Sequence, residues 1–172
     1  MKRFISMRKP MPVVVLIERI SCALITIVLV SATFAISAVA QQQLPFKGTL
    51  AGVETYQFEP PNTLVVNGTG SGNATHLGLF TVEYEIAVDL ATGMGPADAH
   101  FVSANGDSLF CEGYGQATET AIPGVVMIVE SYTVTGGTGR FAGAAGAFTV
   151  QRVVDLGTGV TSGRFEGDIT IQ

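Results

Sequence analysis

The sequence predicts an all-β protein, a single antiparallel closed β-barrel of about eight strands, preceded by an N-terminal apolar signal segment. Three observations predict it. Apolar and polar residues alternate strictly over long runs, as in half-buried strands. No segment shows a convincing helical period. All 21 glycines fall in residues 41–172, and several alternate, as Gly68, Gly70 and Gly72 do, and Gly113 and Gly115. Such rows of bare backbone permit the sharp coiling that a small closed barrel needs. Closure also removes exposed strand edges.

Residues 1–40 carry no glycine and five of the nine basic residues, Lys2, Arg3, Arg8, Lys9 and Arg19. Residues 20–39 are uncharged and largely apolar, and Ala38-Val39-Ala40 precedes three glutamines. A basic start, an apolar middle and a small-residue exit read as a secretory signal peptide cleaved after Ala40. The alternative is an uncleaved membrane anchor, since about twenty apolar residues can span a bilayer. Glu18 and Arg19 interrupt the apolar run that should precede a lipoprotein acceptor, so Cys22 is discounted in that role. The expected organisation is an address over residues 1–40 and a barrel domain over 41–172, secreted or periplasmic.

The strand-rich runs are residues 44–58, 63–69, 80–90, 98–104, 108–118, 125–135, 148–154 and 164–171. In the third, Phe80, Val82, Tyr84, Ile86, Val88 and Leu90 share one face, with Thr81, Glu83, Glu85 and Asp89 opposite. The last sets Phe165, Gly167, Ile169 and Ile171 against Arg164, Glu166, Asp168 and Thr170. Pro60-Pro61 and residues 93–96 mark loops. Asn105-Gly106 predicts a tight hairpin with positive φ at both residues. The pentad from Gly139 to Gly143 recurs from Gly163 to Gly167, suggesting two equivalent strand entries with Phe141 and Phe165 turned inward; Gly78-Leu79-Phe80 is a possible third.

Beyond residue 40 there are four basic residues and thirteen acids, a formal charge of −9. That excludes an electrostatic nucleic-acid binder, which needs a basic face toward the phosphates. The apolar content argues against disorder. Cys111 is the only cysteine after residue 40, so no internal disulfide forms and the core must carry stability. A lone thiol on an exported chain is best placed as a small buried residue.

Several motifs fail on context. Gly106-Asp107-Ser108-Leu109 spells an esterase signature, but it lies on a predicted hairpin and no histidine follows it. Gly137-Thr138-Gly139-Arg140-Phe141-Ala142 fits a dinucleotide fingerprint without the helix that would face a pyrophosphate. His76, His100 and Cys111 lack metal-ligand spacing, so no metal is expected. His76 is placed in a loop or at the barrel mouth. Asn67 and Asn73 begin glycosylation sequons, relevant only in a eukaryotic secretory pathway.

Glu-x-Tyr occurs three times, at Glu54/Tyr56, Glu112/Tyr114 and Glu130/Tyr132, and residues two apart share a strand face. The face Leu109, Cys111, Gly113, Gly115, Ala117 looks too small to fill a barrel. If Phe110, Glu112, Tyr114 and Gln116 turn inward instead, Glu112 and Tyr114 line the lumen. Val126, Ile128, Glu130, Tyr132 and Val134 then form the neighbouring inner face. Glu112 and Glu130 are the catalytic candidates, because a buried carboxyl can handle a proton. Tyr114, Tyr132, Glu54 and Tyr56 are the ligand-binding candidates. The alternative is that these acids lie on the outer, solvated face with the rings as cross-strand partners.

The stretch from Gly136 to Gly146, after the strand Tyr132-Thr133-Val134-Thr135, resembles the G-G-[ST]-G-x-F-x-x-x-x-G run of the allene oxide cyclase and dirigent families. The matching positions are Gly136, Gly137, Thr138, Gly139, Phe141 and Gly146. Ala74-Thr75-His76-Leu77-Gly78 and Ala104-Asn105-Gly106-Asp107 resemble a wider set of secreted bacterial proteins of unassigned function. The resemblance implies an eight-stranded antiparallel barrel with a central cavity, no cofactor in the barrel, and a homo-oligomer as a possible assembly. Members cyclise fatty-acid epoxides or steer phenoxy-radical coupling. The matched positions are turn and packing positions, so neither activity transfers with them.

Three functional readings remain open. One is an exported barrel that binds a small apolar or aromatic molecule in its lumen. Another is a cofactor-free cyclase or isomerase using a lumen Glu. The third is a filled barrel with a structural role only. The lumen volume and the direction of Glu112 and Glu130 discriminate among them.

Overall fold

The computed structural model describes residues 42–171. The signal-peptide or anchor assignment, and Cys22, lie outside them. Eight strands run in order: β1 (Gln43–Glu59), β2 (Thr63–Ala74), β3 (Gly78–Asp89), β4 (Met94–Ser103), β5 (Ser108–Glu119), β6 (Val125–Gly137), β7 (Ala145–Asp155) and β8 (Val160–Thr170). Each pairs antiparallel with the next, and β1 closes on β8, so the sheet is one barrel without a free edge.

Period-two burial along every strand divides it into an inner and an outer face. Inside, Phe46, Phe80, Phe101, Phe148 and Phe165 fill one half of the lumen. Phe165 meets all four of the others, with ring centroids 5.0–6.0 Å apart. The other end of the lumen is not filled in this way.

The two ends of the barrel differ. Leu77, Phe141 and Ala144, all buried, close the end that carries the β2–β3, β4–β5 and β6–β7 connections. Here the Gly136–Gly146 stretch finds its role. Gly136 and Gly137 finish β6, and Thr138 pairs with Ser108, donating its N–H to the Ser108 carbonyl at 2.8 Å and accepting the Ser108 N–H on Oγ1 at 2.9 Å. Residues Gly139–Phe141 make one turn of 3-10 helix that drives Phe141 into the lumen. Arg140 pins this plug, donating to the Leu77 carbonyl at 3.1 Å and meeting Asp107 at 3.6 Å. The repeat anticipated at 139–143 and 163–167 is therefore a shared inward Phe on two different backbones: a 3-10 turn in one and β8 in the other.

The β4–β5 hairpin also differs from expectation. Only Gly106 has positive φ, at +90°, while Asn105 does not. The Ser103 N–H donates to the Asp107 carbonyl, enclosing three loop residues, so glycine alone absorbs the left-handed step. In the β2–β3 turn His76 takes φ +62° and is exposed. Cys111 faces the lumen and is buried, and burial pushes its thiol up to about 12, which keeps it protonated and unreactive.

Candidate functional site

The open end is bounded by the β1–β2, β3–β4, β5–β6 and β7–β8 connections. A cavity of about 180 Å³ lies there. Its wall is apolar, from Leu64, Val66, Ile86, Val88, Val126 and Ile128, and its base is polar, from Glu54, Tyr56, Glu130 and Arg152. Most small-molecule sites share this plan of an apolar wall with a few convergent polar groups.

The polar base is one connected cluster. Arg152 donates from Nε and Nη2 to the two oxygens of Glu130, both at 2.9 Å, a bidentate pair. Its Nη1 donates to Glu54 Oε1 and to Thr161 Oγ1, the latter at 3.2 Å. Glu54 also accepts the Tyr84 hydroxyl at 2.8 Å on Oε1 and the Tyr56 hydroxyl at 3.1 Å on Oε2. Glu54, Glu130, Arg152 and Thr161 are all buried, with Arg152 only 2% exposed. Burial alone would lower the Arg152 pKa, but the hydrogen bonds to Glu130 and the charges of Glu130 and Glu54 outweigh it and raise it. The guanidinium thus stays charged inside the barrel. On the inner side of the cluster a void of about 20 Å³, bounded by Phe101, Tyr132 and Arg152, has room for about one water.

Glycine on neighbouring strands makes this cluster possible. Gly115 faces Glu130 and Gly113 faces Tyr132 across β5–β6, and a Cβ at Gly113 would lie 2.6 Å from the Tyr132 ring. Gly68 lies under the Tyr84 ring, where a Cβ would overlap it. Bulky polar side chains on β3 and β6 therefore take the volume that β2 and β5 leave empty.

That exchange of volume explains a correction. Glu112 and Tyr114 point outward, with Tyr114 51% exposed, and the small face of Cys111, Gly113 and Gly115 points inward. The lumen is filled by summing across strands, so one strand can be small where its neighbour is large. Glu112 lies on the outer face beside Asp98 and Glu85, in register across three strands. It is removed from any role in the lumen. Phe110 is also outside, stacked on His100 at 4.8 Å. Glu54, Glu130 and Tyr132 are buried and inward, and Tyr56 is half-buried at the cavity. The structure brings Glu54, Tyr56 and Glu130 together at one cavity, with Tyr132 one step deeper, stacked on Phe148.

Arg152 and Tyr84 were not among the sequence candidates. The signal was present: Phe148, Val150, Arg152 and Val154 alternate, which sets an arginine on an apolar face.

The esterase-like signature gains a partner without gaining a site. His100, which precedes the motif, lies with Nε2 3.0 Å from Ser108 Oγ across β4–β5. The Ser108 N–H is spent on Thr138 Oγ1, and the pair lies on the outer face of a sheet whose N–H groups serve the ladder. No set of backbone donors converges there to hold an oxyanion. Among the described residues no group of three or more His, Cys, Asp or Glu is arranged to hold a metal ion. Asn67 and Asn73 are exposed on β2.

The tyrosines give a prediction. Burial and the Glu54 carboxylate push the Tyr56 phenol from 10.0 to about 12, and burial pushes Tyr84 and Tyr132 higher still. The folded protein holds these protons above pH 10 while the unfolded chain releases them, so stability falls as pH rises through this window. Circular dichroism against pH is expected to show a full fold up to about pH 10 and progressive alkaline unfolding toward pH 12. A flat profile across that interval would show that the phenols are not buried as described.

No family model matches the sequence, and no curated protein matches it. Solved structures do match in shape. The pterocarpan synthase dirigent protein GePTS1 superposes with a TM-score of 0.58 at 13% identity, over 80% of this chain and 92% of that one. The pterocarpan synthase dirigent protein PsPTS1 gives 0.54 at 15% identity, over 76% and 94%. With eight antiparallel strands closed in sequence order and these superpositions, the chain has the barrel fold of the dirigent proteins.

Proposed function

We propose that the protein is an exported small β-barrel that binds a small apolar or aromatic molecule at the open end of its lumen. The observation that carries this is the 180 Å³ cavity, walled by aliphatic side chains and floored by the Glu54–Arg152–Glu130 cluster. A protein with only a structural role has no need of a hollow above buried charges, which are costly to keep. The plugged opposite end leaves one entrance. Export is supported by the basic, apolar and small-residue pattern of residues 1–40.

A second reading, a cofactor-free cyclase or isomerase, is favoured by one specific feature: Glu54 borders the cavity with a phenol on each of its oxygens. In that role Glu54 or Glu130 moves the proton, Tyr56 orients a substrate oxygen, and the narrow wall fixes substrate geometry.

Native mass spectrometry of the protein purified from its own host tests the binding reading. A co-purified small molecule is expected with the wild type. It is expected to be lost in Ile128→Trp, which fills the cavity while leaving the charge cluster intact. Recovery of bare protein only would overturn the reading.

A further inference from the structure

We propose that the cavity is selective for a cationic ligand, an amine with a small apolar or aromatic body, and discriminates against carboxylates of the same shape. This rests on the reading of the open end as a binding site and deepens it. Three features of the chain point the same way.

The first is the proton inventory of the cavity base. A guanidinium has five N–H protons. Four are committed, two to Glu130, one to Glu54 and one to Thr161. The Tyr56 and Tyr84 hydroxyls both donate to Glu54. What remains toward the cavity is mostly lone pairs: Glu54 Oε2, which accepts only the Tyr56 hydroxyl, and the Tyr56 oxygen itself. Such a base satisfies a donor and leaves an acceptor unpaired.

The second is charge. Two buried carboxylates share a single guanidinium, a formal charge of −1 enclosed by the barrel. An ammonium entering the cavity completes the balance and donates up to three charge-assisted hydrogen bonds. A carboxylate adds a second uncompensated negative charge in a site with little water.

The third is the rim. The four strands that run toward the open end finish in acids: Glu59 on β1, Asp89 on β3, Glu119 on β5 and Asp155 on β7. All four are exposed. Asp89 and Asp155 also cap their turns through backbone N–H groups, but their charges remain at the entrance. The other basic residues of the described chain lie elsewhere. Lys47 meets Glu166, Arg140 holds the plug, and Arg164 meets Gln151 on the outer face. A ring of one sign above a low-dielectric cleft focuses the field and concentrates cations at the mouth.

Three probes of like size test this on the full chain: 2-phenylethylamine, 2-phenylethanol and phenylacetate. Affinity is read by calorimetry and location by NMR shifts of the Ile128 and Val88 methyls. The amine is expected to bind about tenfold tighter than the alcohol, in keeping with the strength of charge-assisted hydrogen bonds, and its affinity is expected to fall with added salt. Phenylacetate is expected to leave the methyls unmoved. Equal binding of all three, or tightest binding of phenylacetate, overturns the cation selectivity while leaving the apolar site in place. Failure of every probe to move the methyls overturns the site and its selectivity together. In Asp155→Asn with Glu119→Gln, two rim changes that spare the core, the amine preference is expected to shrink and the alcohol affinity to hold. An unchanged ratio shows that the rim does not act.

Discussion

Arg152→Met is expected to cost about 3–5 kcal/mol of stability, because removing one partner of a buried ion pair leaves the other charges uncompensated. Here two carboxylates, Glu54 and Glu130, lose their shared cation at once, in a layer only about 2–6% exposed. Urea unfolding at pH 7 is expected to show this loss as a lowered midpoint. The triple change Glu54→Gln, Glu130→Gln and Arg152→Met is expected to recover much of the loss, since replacing a whole buried network can be nearly neutral. A single variant as stable as wild type at pH 7 would show that the three side chains are not enclosed together.

Phe165→Ala is expected to cost about 3–5 kcal/mol, the usual range for truncating a buried aromatic residue. The site cannot collapse readily, because Phe165 packs on Phe46, Phe80, Phe101 and Phe148, which hang from four other strands of a closed sheet. The outward Tyr114 is the matched comparison. It is an aromatic of similar size on β5, and Tyr114→Ala is expected to stay within about 0.5 kcal/mol of wild type, as exposed substitutions generally do. Calorimetric melting of both variants reads the difference directly. A large loss at Tyr114, or a small one at Phe165, would reverse the assignment of inner and outer faces.

The fold was legible because its signal is local. Alternation along residues 80–90 and 164–171 identifies strands without knowledge of partners, and β3 and β8 follow it. Which face turns inward was equally clear where the two faces differ in polarity. It was not clear on β5, where one face holds Cys111, Gly113 and Gly115 and the other holds Phe110, Glu112 and Tyr114. There the decision rests with β6, whose Glu130 and Tyr132 need the space above the two glycines. A pairing between residues 15 or more positions apart is invisible to a reading of one strand at a time. The site shows the same limit. Glu54, Glu130 and Tyr56 could be named from a recurring pattern, but Arg152 joins Glu54 across 98 positions of sequence. Its place on an apolar face was readable, and its partners were not. The plug was likewise recognisable as a motif, while its task of sealing one end depends on Asp107 and Leu77 from other loops.

Closure of β1 on β8 has a practical outcome for handling the molecule. Gln43 pairs with Thr170, so the first and last residues of the sheet meet at a common seam on the sealed end. A dye, bead or fused domain joined after the last strand is therefore held on the side away from the loops that admit solvent to the hollow. Surface immobilisation through a position just after Thr170 presents that doorway to the bulk phase and leaves exchange through it unobstructed.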